Sequence, residues 1–338
     1  MARQRWSSKL GIIMAVAGSA VGLGNFLRFP VQAANNGGGA FIIPYFVSLL
    51  LLGIPLMWIE WALGRYGGGF EHGTAPGIFH SLLEKNRFIK YFGVIGIFGP
   101  LVIFIYYTYI ESWTLGYSVL SILGNYKGVQ DQATMQSFLS AYQGLEKNNF
   151  FNSLAPAYFF FLITFIANMA VIYYGIRGGI EKLCNIAMPI LFVCGFIVMA
   201  RVLTLGAPDP SNPGWNASNG MGFLWNPDFS ALLKPKVWLA AAGQIFFTLS
   251  VGIGVILTYA SYLKKGDDVV LSGLTAVSTN ELAEVIIGGS IVIPAAFIFF
   301  GPIGIKDIAA SGAFNLGCVT MPVIIQKILF GAFLGAIW

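Results

Sequence analysis

Long stretches of this chain carry no charged side chain. No Asp, Glu, Lys, Arg or His lies between Arg28 and Glu60, or between Lys90 and Glu111. A helix needs about 20 apolar residues to cross the hydrocarbon core of a bilayer. Because 57% of the residues are hydrophobic and only 10% are charged, a soluble globular fold is excluded. The sequence predicts an all-α, polytopic membrane protein that contacts the lipid bilayer.

The apolar runs predict a single membrane domain with seven spans and the start of an eighth. Lys and Arg are concentrated on the side of the N-terminal tail, although the loops on the other side are longer. The positive-inside rule therefore predicts a multi-pass protein of the cell membrane with a cytoplasmic N-terminus. The predicted spans cover about residues 9–34, 39–64, 88–123, 155–175, 180–204, 236–262 and 269–299, and the eighth starts at 329–338.

The printed chain ends in the apolar run GAFLGAIW. A helix that stopped in hydrocarbon would leave its last carbonyl groups without hydrogen-bond donors. We therefore expect residues 1–338 to be a truncated piece of a longer protein that has further C-terminal spans. The fragment alone is expected not to transport.

Charge and motif content exclude several function classes. The net charge of +5 comes from Lys and Arg in loops, without a basic stripe, so no nucleic-acid partner is expected. The two histidines, His72 and His80, lie in the loop after the second span, and every Asp lies in a loop. The sequence contains no phosphate-binding GxxxxGK[ST] loop. An enzyme is therefore not expected.

Two of the predicted spans share a glycine interruption. Residues 18–25 read GSAVGLGN and residues 248–254 read TLSVGIG. Glycine costs about 1 kcal/mol relative to alanine inside a helix, so both segments favour local unwinding, which membranes tolerate only where the backbone lines a cavity. Close packing of helices through small residues is the structural alternative. The matched pair is typical of transporters, where half-helix ends bind an anion and freed carbonyls bind a cation.

Six longer motifs carry a family resemblance: GNFLRFPVQAANNGGGAFIIPY, GIPLMWIEWALGRYGG, IYYTYIESW, GQIFFTLSVGIG, LTYASY and STNELAEV. Together they resemble the neurotransmitter:sodium symporter family, and closely its bacterial amino-acid transporters. The resemblance implies an inverted-repeat transporter fold and sodium-coupled symport of an amino acid by alternating access. It also allows a homodimer. A proton-coupled amino-acid carrier of similar architecture remains the alternative.

The resemblance implies two sodium sites. Gly18 and Val21 match two carbonyl ligands of the second site, whose remaining ligands belong to the eighth span, so that site is incomplete in this chain. Neutral oxygens suit a hard monovalent cation without burying fixed charge. Without the resemblance, Asn25 and Asn280 would be read as hydrogen-bonding between helices. The first site would be formed by the Ala20 carbonyl, the side chains of Asn25, Thr248 and Asn280, and the carboxylate of the substrate.

The resemblance also assigns the substrate contacts. The carboxylate would meet the N–H groups near Leu23 and Gly24 and the hydroxyl of Tyr107, since a helix N-terminus suits an anion. Monoamine members of the family have an aspartate at the position of Gly22, and glycine there leaves room for the carboxylate of an amino acid. The ammonium group would meet carbonyls near Ala20, Phe247 and Thr248 and the hydroxyl of Ser250.

The side-chain pocket implied by the resemblance is apolar and of moderate size. It favours a neutral aliphatic or aromatic amino acid. Ser19 replaces a family asparagine and Ile103 a smaller valine, which leaves the size preference open. The pocket-lining positions are Ser19, Ile103, Tyr107, Phe247 and Ile253.

Charged groups inside membrane spans are costly unless they are paired or functional. Chloride-dependent relatives have a serine at the position of Glu284, near the counterparts of Tyr45, Gln244 and Thr248, so a fixed carboxylate there predicts transport without chloride. Glu60 is expected to hold the freed backbone of span 6. The resemblance places Arg28, Tyr107 and Phe247 in an outer gate, and Arg3, Trp6, Ser261 and Tyr262 in a cytoplasmic gate.

Overall fold

The computed structural model describes residues 4–83 and 88–338. Within these ranges the chain is helical, and its one isolated β-bridge joins Gly38 to Pro227. The helices of the first half are α1 (Lys9–Ala20), α2 (Phe29–Asn35), α3 (Gly39–Ser48), α4 (Ile54–Gly68), α5 (Ala75–Leu82), α6 (Ile89–Phe92), α7 (Ile95–Leu123), α8 (Gln132–Tyr142) and α9 (Ala155–Tyr173).

The second half continues with helices of very different lengths. They are α10 (Lys182–Leu203), α11 (Ala217–Trp225), α12 (Pro235–Thr248), α13 (Val255–Ala260), α14 (Val270–Glu281), α15 (Gly289–Ser311), α16 (Ala313–Asn315), α17 (Met321–Gln326) and α18 (Gly331–Ile337). Wider π-helical turns join several of them, at Gly24–Arg28, Leu49–Gly53, Ile176–Glu181, Leu282–Gly288 and Leu316–Thr320, and a 3-10 turn covers Phe229–Leu233.

Among the described residues, five continuous helical segments are long and apolar enough to cross a membrane. The pair of α1 and the segment Gly24–Asn35, which meet at an angle of 46°, is long and apolar enough to count as a sixth if it is one broken span. The five segments are Gly39–Gly68, Ile89–Leu123, Ala155–Tyr173, Ile176–Leu203 and Val270–Ser311.

Two predicted spans differ in shape from a simple helix. The region predicted as 236–262 consists of α12 and α13 with a non-helical segment between them, and each helix is short. The last long segment extends to Ser311, past the predicted end at 299, but Gly301 has a positive φ of 68° and Pro302 follows it. The helix direction therefore breaks there, because proline cannot continue the hydrogen-bond ladder.

The core positions the two interrupted spans at its centre. Helix α1 packs on α10 and α14, α2 packs on α15, α12 packs on α3, and α13 packs on α4. The π-helical turn Gly24–Arg28 lies directly against the turn Leu282–Gly288. A π-turn shifts side-chain directions relative to an α-helix and is common at functional sites. The facing turns carry Asn25 and Glu284.

Candidate functional site

Both glycine-marked segments interrupt their helices. Helix α1 ends at Ala20, and Val21 is extended, with φ −76° and ψ 117°. The first unwound segment is therefore residues 21–23, before the π-helical turn that begins at Gly24. In the second segment, 249–254, Ser250, Gly252 and Gly254 have positive φ values of 54°, 85° and 85°. Glycine adopts such angles without steric cost, which explains the glycine pattern there. The unwinding predicted from the sequence is therefore confirmed in both spans.

A carboxylate from α4 holds the second unwound segment. Glu60 is buried, and its Oε1 accepts a hydrogen bond from the backbone N–H of Gly252. Gly254 is fixed from the other side, because a Cβ there would lie 2.7 Å from the Cα of Gly96 at the start of α7. The Gly252 N–H lies outside any helix and has no helical carbonyl partner. The Glu60 carboxylate therefore serves as its hydrogen-bond acceptor.

Four polar side chains from four segments meet where the two interrupted spans cross. The Asn25 Nδ2 atom lies 2.9 Å from Asn280 Oδ1 and 3.1 Å from Glu284 Oε2. The Asn280 Nδ2 atom lies 3.0 Å from Thr248 Oγ1, and the Thr248 hydroxyl donates to Glu284. All four side chains are at most 2% exposed. This polar cluster is rich in oxygen atoms and excluded from water.

The polar cluster is tied to the first unwound segment. Asn25 Oδ1 accepts the backbone N–H of Gly22 at 2.8 Å. Tyr107 of α7 approaches the same segment, and its hydroxyl accepts the N–H of Leu23 at 3.2 Å. A Cβ at Gly22 would lie 2.7 Å from that hydroxyl, so only glycine fits without displacing Tyr107.

Arg28 and Phe247, both predicted in the outer gate, are in contact. The guanidinium carbon of Arg28 lies 4.3 Å from the centroid of the Phe247 ring. Arg28 Nη1 donates to Gln244 Oε1 at 2.5 Å, and Gln244 Nε2 donates to Glu284 Oε1 at 2.6 Å. Gln244 therefore links the Arg28 guanidinium to the buried Glu284 carboxylate by two hydrogen bonds. Phe247 also lies close to Gly24, the residue that follows the first unwound segment, since a Cβ at Gly24 would lie 2.6 Å from its Cε1.

Other predicted pocket residues are more dispersed. The Ser19 hydroxyl donates to the Val16 carbonyl at 2.8 Å, and the Ser19 carbonyl accepts from Ser250 Oγ at 3.4 Å. Ile103 lies one helical turn before Tyr107 on α7, and therefore on the same face. Ile253 belongs to the second unwound segment.

Gly18 lies beside α10, and Val21 directly follows the end of α1. A Cβ at Gly18 would meet the sulfur atoms of Cys184 and Met188 at 3.4 and 3.5 Å. Val21 is buried and its N–H donates to the Ala17 carbonyl at 2.7 Å. The assignment of the Gly18 and Val21 carbonyls to a second sodium site stays a prediction.

At the opposite end of the first span, the N-terminal tail docks on α13. Trp6 Nε1 donates to the Tyr259 carbonyl at 2.9 Å, and the two rings lie 5.7 Å apart, edge to face. Ser261 donates to the Thr258 carbonyl at 2.6 Å, and Tyr262 follows it at the end of α13. Arg3, predicted in the same gate, lies outside the described residues.

Sequence reasoning missed the carboxylate that anchors this tail. Glu181 is buried and accepts hydrogen bonds from the Ser7 N–H at 3.0 Å, the Ser8 hydroxyl at 3.2 Å and the Ser7 hydroxyl. Its side chain also covers Gly11. The sequence does show an acidic residue at the start of a span, which is unusual in a membrane protein. Its serine partners could not be predicted, because they lie more than 170 positions earlier in the chain.

A cavity of about 730 Å³ borders the first unwound segment. Gly22, Leu23 and Tyr107 lie at its polar edge, α7 adds further tyrosine and polar side chains, and α10 contributes the largest group of apolar lining residues. Glu111 also faces this cavity and accepts a hydrogen bond from Asn168 of α9 at 2.9 Å. The wall is thus mostly apolar and the backbone polar, the composition that small-molecule pockets share.

Comparison with known proteins places these features in a family. The family model described as sodium:neurotransmitter symporter family matches residues 3–127 and 125–338. An uncharacterized sodium-dependent transporter of Methanocaldococcus jannaschii is 34% identical over 98% of this chain and 64% of its own length. The mouse sodium-dependent neutral amino acid transporter B(0)AT1 is 28% identical over 85% of this chain and 46% of its own length. The chain therefore spans less than two thirds of these two relatives.

A solved structure agrees with the sequence matches. The crystal structure of MhsT in complex with L-phenylalanine superposes with a TM-score of 0.77 and 31% identity, covering 99% of this chain and 69% of that chain. The match confirms the predicted all-α, inverted-repeat transporter fold.

Proposed function

The chain belongs to the sodium:neurotransmitter symporter family, a family of transporters rather than enzymes, and on that premise we propose that it carries a neutral amino acid with sodium by alternating access. The observation that carries this proposal is the buried polar cluster between two unwound segments. Asn25 connects the two parts, because its side chain contacts both Asn280 and the backbone of Gly22.

The substrate is proposed to bind across the first unwound segment. Because the Tyr107 oxygen accepts the Leu23 N–H, its own proton can be donated to a carboxylate. Gly22 leaves space beside that hydroxyl, and the N–H groups near Leu23 and Gly24 provide positive partial charge. The ammonium would meet carbonyls at Ala20, Phe247 and Thr248 and the hydroxyl of Ser250.

The substrate side chain is proposed to contact an apolar pocket. Its proposed lining is Ser19, Ile103, Tyr107, Phe247 and Ile253. Two similar proteins support this class of ligand. Mouse B(0)AT1 is named as a neutral amino acid transporter, and the MhsT structure contains L-phenylalanine.

Sodium is proposed to enter the polar cluster as a second substrate. The Ala20 carbonyl, Thr248, the amide oxygens of Asn25 and Asn280 and the carboxylate of the substrate form the donor set. The ion would replace the hydrogen bond between the two asparagines. Neutral oxygens and one carboxylate suit a hard cation. A second ion would use the carbonyls of Gly18 and Val21.

A sodium gradient is energetically sufficient for concentrative uptake. One charge moving through 100 mV releases about 2.3 kcal/mol, and a tenfold sodium gradient adds about 1.4 kcal/mol. Two ions would therefore supply about 7 kcal/mol, enough to concentrate a neutral substrate by about five decades. Coupling to ATP is not needed.

Flux measurements test this function against the proton-coupled alternative. The full-length protein that contains residues 1–338, reconstituted in liposomes, should take up labelled neutral amino acids in sodium but not in choline. Uptake should survive a proton uncoupler while the sodium gradient is clamped. Uptake that persists in choline and collapses with the uncoupler would establish the proton-coupled carrier instead.

Transport is proposed to be independent of chloride, because Glu284 already places a carboxylate against Thr248 and Gln244. Replacing chloride with gluconate should leave uptake unchanged within twofold. Glu284→Ser should lose at least about tenfold in gluconate, an effect of about 1.4 kcal/mol, and recover with chloride. Glu281→Ser is the matched control, since Glu281 contacts Tyr45 at 2.8 Å and chloride should not rescue it. Wild-type uptake that stops in gluconate would refute the proposal.

Glu60 is proposed to fix the second unwound segment rather than transfer a proton. Glu60→Gln keeps an oxygen acceptor for Gly252 but removes the charge, and charge-assisted hydrogen bonds are about twice as strong as neutral ones. We expect sodium-dependent binding to weaken about tenfold, or about 1.4 kcal/mol. Glu111 is a carboxylate that bonds to Asn168 instead. The control variant Glu111→Gln should therefore change binding less than threefold. Normal binding by Glu60→Gln would remove this role.

The chain is a multi-pass membrane protein, and we propose its gates and its orientation as part of the same function. We assign Arg28, Tyr107 and Phe247 to an outer gate and Arg3, Trp6, Ser261 and Tyr262 to a cytoplasmic gate. A cytoplasmic N-terminus and a homodimer are part of the same proposal. Reporter fusions at the N-terminus, active on one side of the membrane only, test the orientation.

A further inference from the structure

The N-terminal tail contacts the second half of span 6. We call its residues 4–8 the tail strap. Trp6 of the strap donates to the Tyr259 carbonyl of α13 at 2.9 Å. Arg5 Nη1 donates to the Leu263 carbonyl, just past the end of α13, at 3.3 Å. These two bonds place the strap on the helix that follows the second unwound segment.

The tail strap also contacts a second element, the π-helical turn Ile176–Glu181 at the start of span 5. The side-chain oxygen of Gln4 accepts the Ile176 N–H at 3.1 Å. Gly175 precedes this turn with a positive φ of 72°, and a Cβ there would lie 2.7 Å from Gln4 Oε1. Glycine thus allows the strap to lie close to the turn. The strap therefore connects span 5 to span 6.

Glu181 provides the other contact between the tail strap and this turn. Its side chain is 2% exposed, and within the described ranges every hydrogen bond to its carboxylate comes from Ser7 or Ser8. A Cβ at Gly11 would overlap its Oε1 atom, so the carboxylate also lies against the first turn of α1. A buried carboxylate that loses its hydrogen-bond donors is destabilised. The need to keep these donors therefore stabilises the docked strap.

We propose that Glu181 is a positioning residue for the cytoplasmic gate. Its hydrogen bonds to the two serines hold the tail strap on the start of α10, and the docked strap keeps the gate residue Trp6 on the Tyr259 carbonyl. Glu181 and Trp6 are separate anchors, because they fix the strap to different spans. This inference rests on the proposed function, which assigns Trp6 to that gate.

Hydrogen–deuterium exchange of the purified full-length protein, without sodium or amino acid, tests this inference. The informative group is the Ile176 N–H, because its acceptor is Gln4 and not Glu181. If Glu181 holds the whole strap, Glu181→Ala should speed exchange at both Ser7 and Ile176 by about tenfold, the change expected for loss of one charge-assisted hydrogen bond. Glu181→Gln keeps the shape and an oxygen acceptor, so exchange should rise only about threefold.

Matched variants separate release of the tail strap from general damage. Ser7→Ala should speed Ile176 exchange in the wild type but not in Glu181→Ala, where its partner is already missing. Glu71→Ala removes an exposed carboxylate from the loop before α5 and should leave exchange unchanged. Unchanged Ile176 exchange in Glu181→Ala, or equal effects of Ser7→Ala in both backgrounds, would overturn the inference. Faster exchange along the whole of α10 would indicate lost structure and overturn it as well.

The exchange experiment is independent of transport, because no ligand is present. Unchanged Ile176 exchange in Glu181→Ala, in a protein that binds amino acid normally with sodium, would reject the role of Glu181 alone. Strap release in a protein without any sodium-dependent binding would support the anchor and reject the proposed function.

Discussion

Asn25→Ala is expected to abolish sodium-stimulated binding of the amino acid. Asn25 is fully buried and bonds to Asn280, Glu284 and the backbone of Gly22. Its loss removes a proposed sodium ligand and leaves buried polar groups unpaired, at about 1–3 kcal/mol each. We expect apparent sodium affinity to fall at least about 100-fold, or about 2.7 kcal/mol. Equilibrium binding of labelled amino acid over a sodium titration measures this.

Controls separate a lost ligand from a damaged fold. Asn36→Ala removes another buried asparagine, one whose Nδ2 bonds within its own turn to the Gln32 carbonyl at 2.8 Å, and should keep normal sodium affinity. Thr248→Ser keeps the hydroxyl of the polar cluster and should bind sodium nearly normally, whereas Thr248→Val should resemble Asn25→Ala. Wild-type sodium affinity in Asn25→Ala would show that this residue is not a ligand.

Gly22→Ala is the second substitution with a large expected effect. The new Cβ would lie 2.7 Å from the Tyr107 hydroxyl, closer than unbonded atoms approach, so Tyr107 must move away from Leu23. The carboxylate would lose both its space and its hydroxyl donor. We expect substrate affinity to fall by about 100-fold, or about 2.7 kcal/mol, measured by binding at saturating sodium.

Gly243→Ala provides the matched control, since a Cβ there meets no atom within 4 Å. It should bind the amino acid normally. Tyr107→Phe removes the crowding hydroxyl, and the next ring atom lies 3.9 Å from the Cβ position. The double variant Gly22→Ala/Tyr107→Phe should therefore bind as weakly as Tyr107→Phe alone. Strictly additive losses would contradict a steric conflict between these two residues.

Local chemistry explains which features could be predicted from the sequence. Uncharged runs mark membrane spans because charge is costly in hydrocarbon, and the glycine pairs mark unwinding because glycine is unfavourable inside a helix. Both are properties of neighbouring residues. The sequence therefore indicates where the helices of the first and sixth spans break.

The remaining features depend on contacts between distant segments. Gln244 forms hydrogen bonds to both Arg28 and Glu284, and Glu181 binds the serines that precede α1. The facing π-turns that orient Asn25 and Glu284 have no distinct sequence signal. Tertiary packing decides these geometries, so hydropathy and residue spacing could not predict them.

Reciprocal binding measurements test the shared site most directly. Sodium and amino acid that meet at one carboxylate must raise each other's affinity by the same factor, as linkage requires. Labelled amino acid should therefore bind the full-length protein tightly with sodium and weakly with choline. The amino acid should raise the affinity for radioactive sodium by the same factor as sodium raises the affinity for the amino acid. Binding of each ligand that ignores the other would contradict a common site between the two unwound segments.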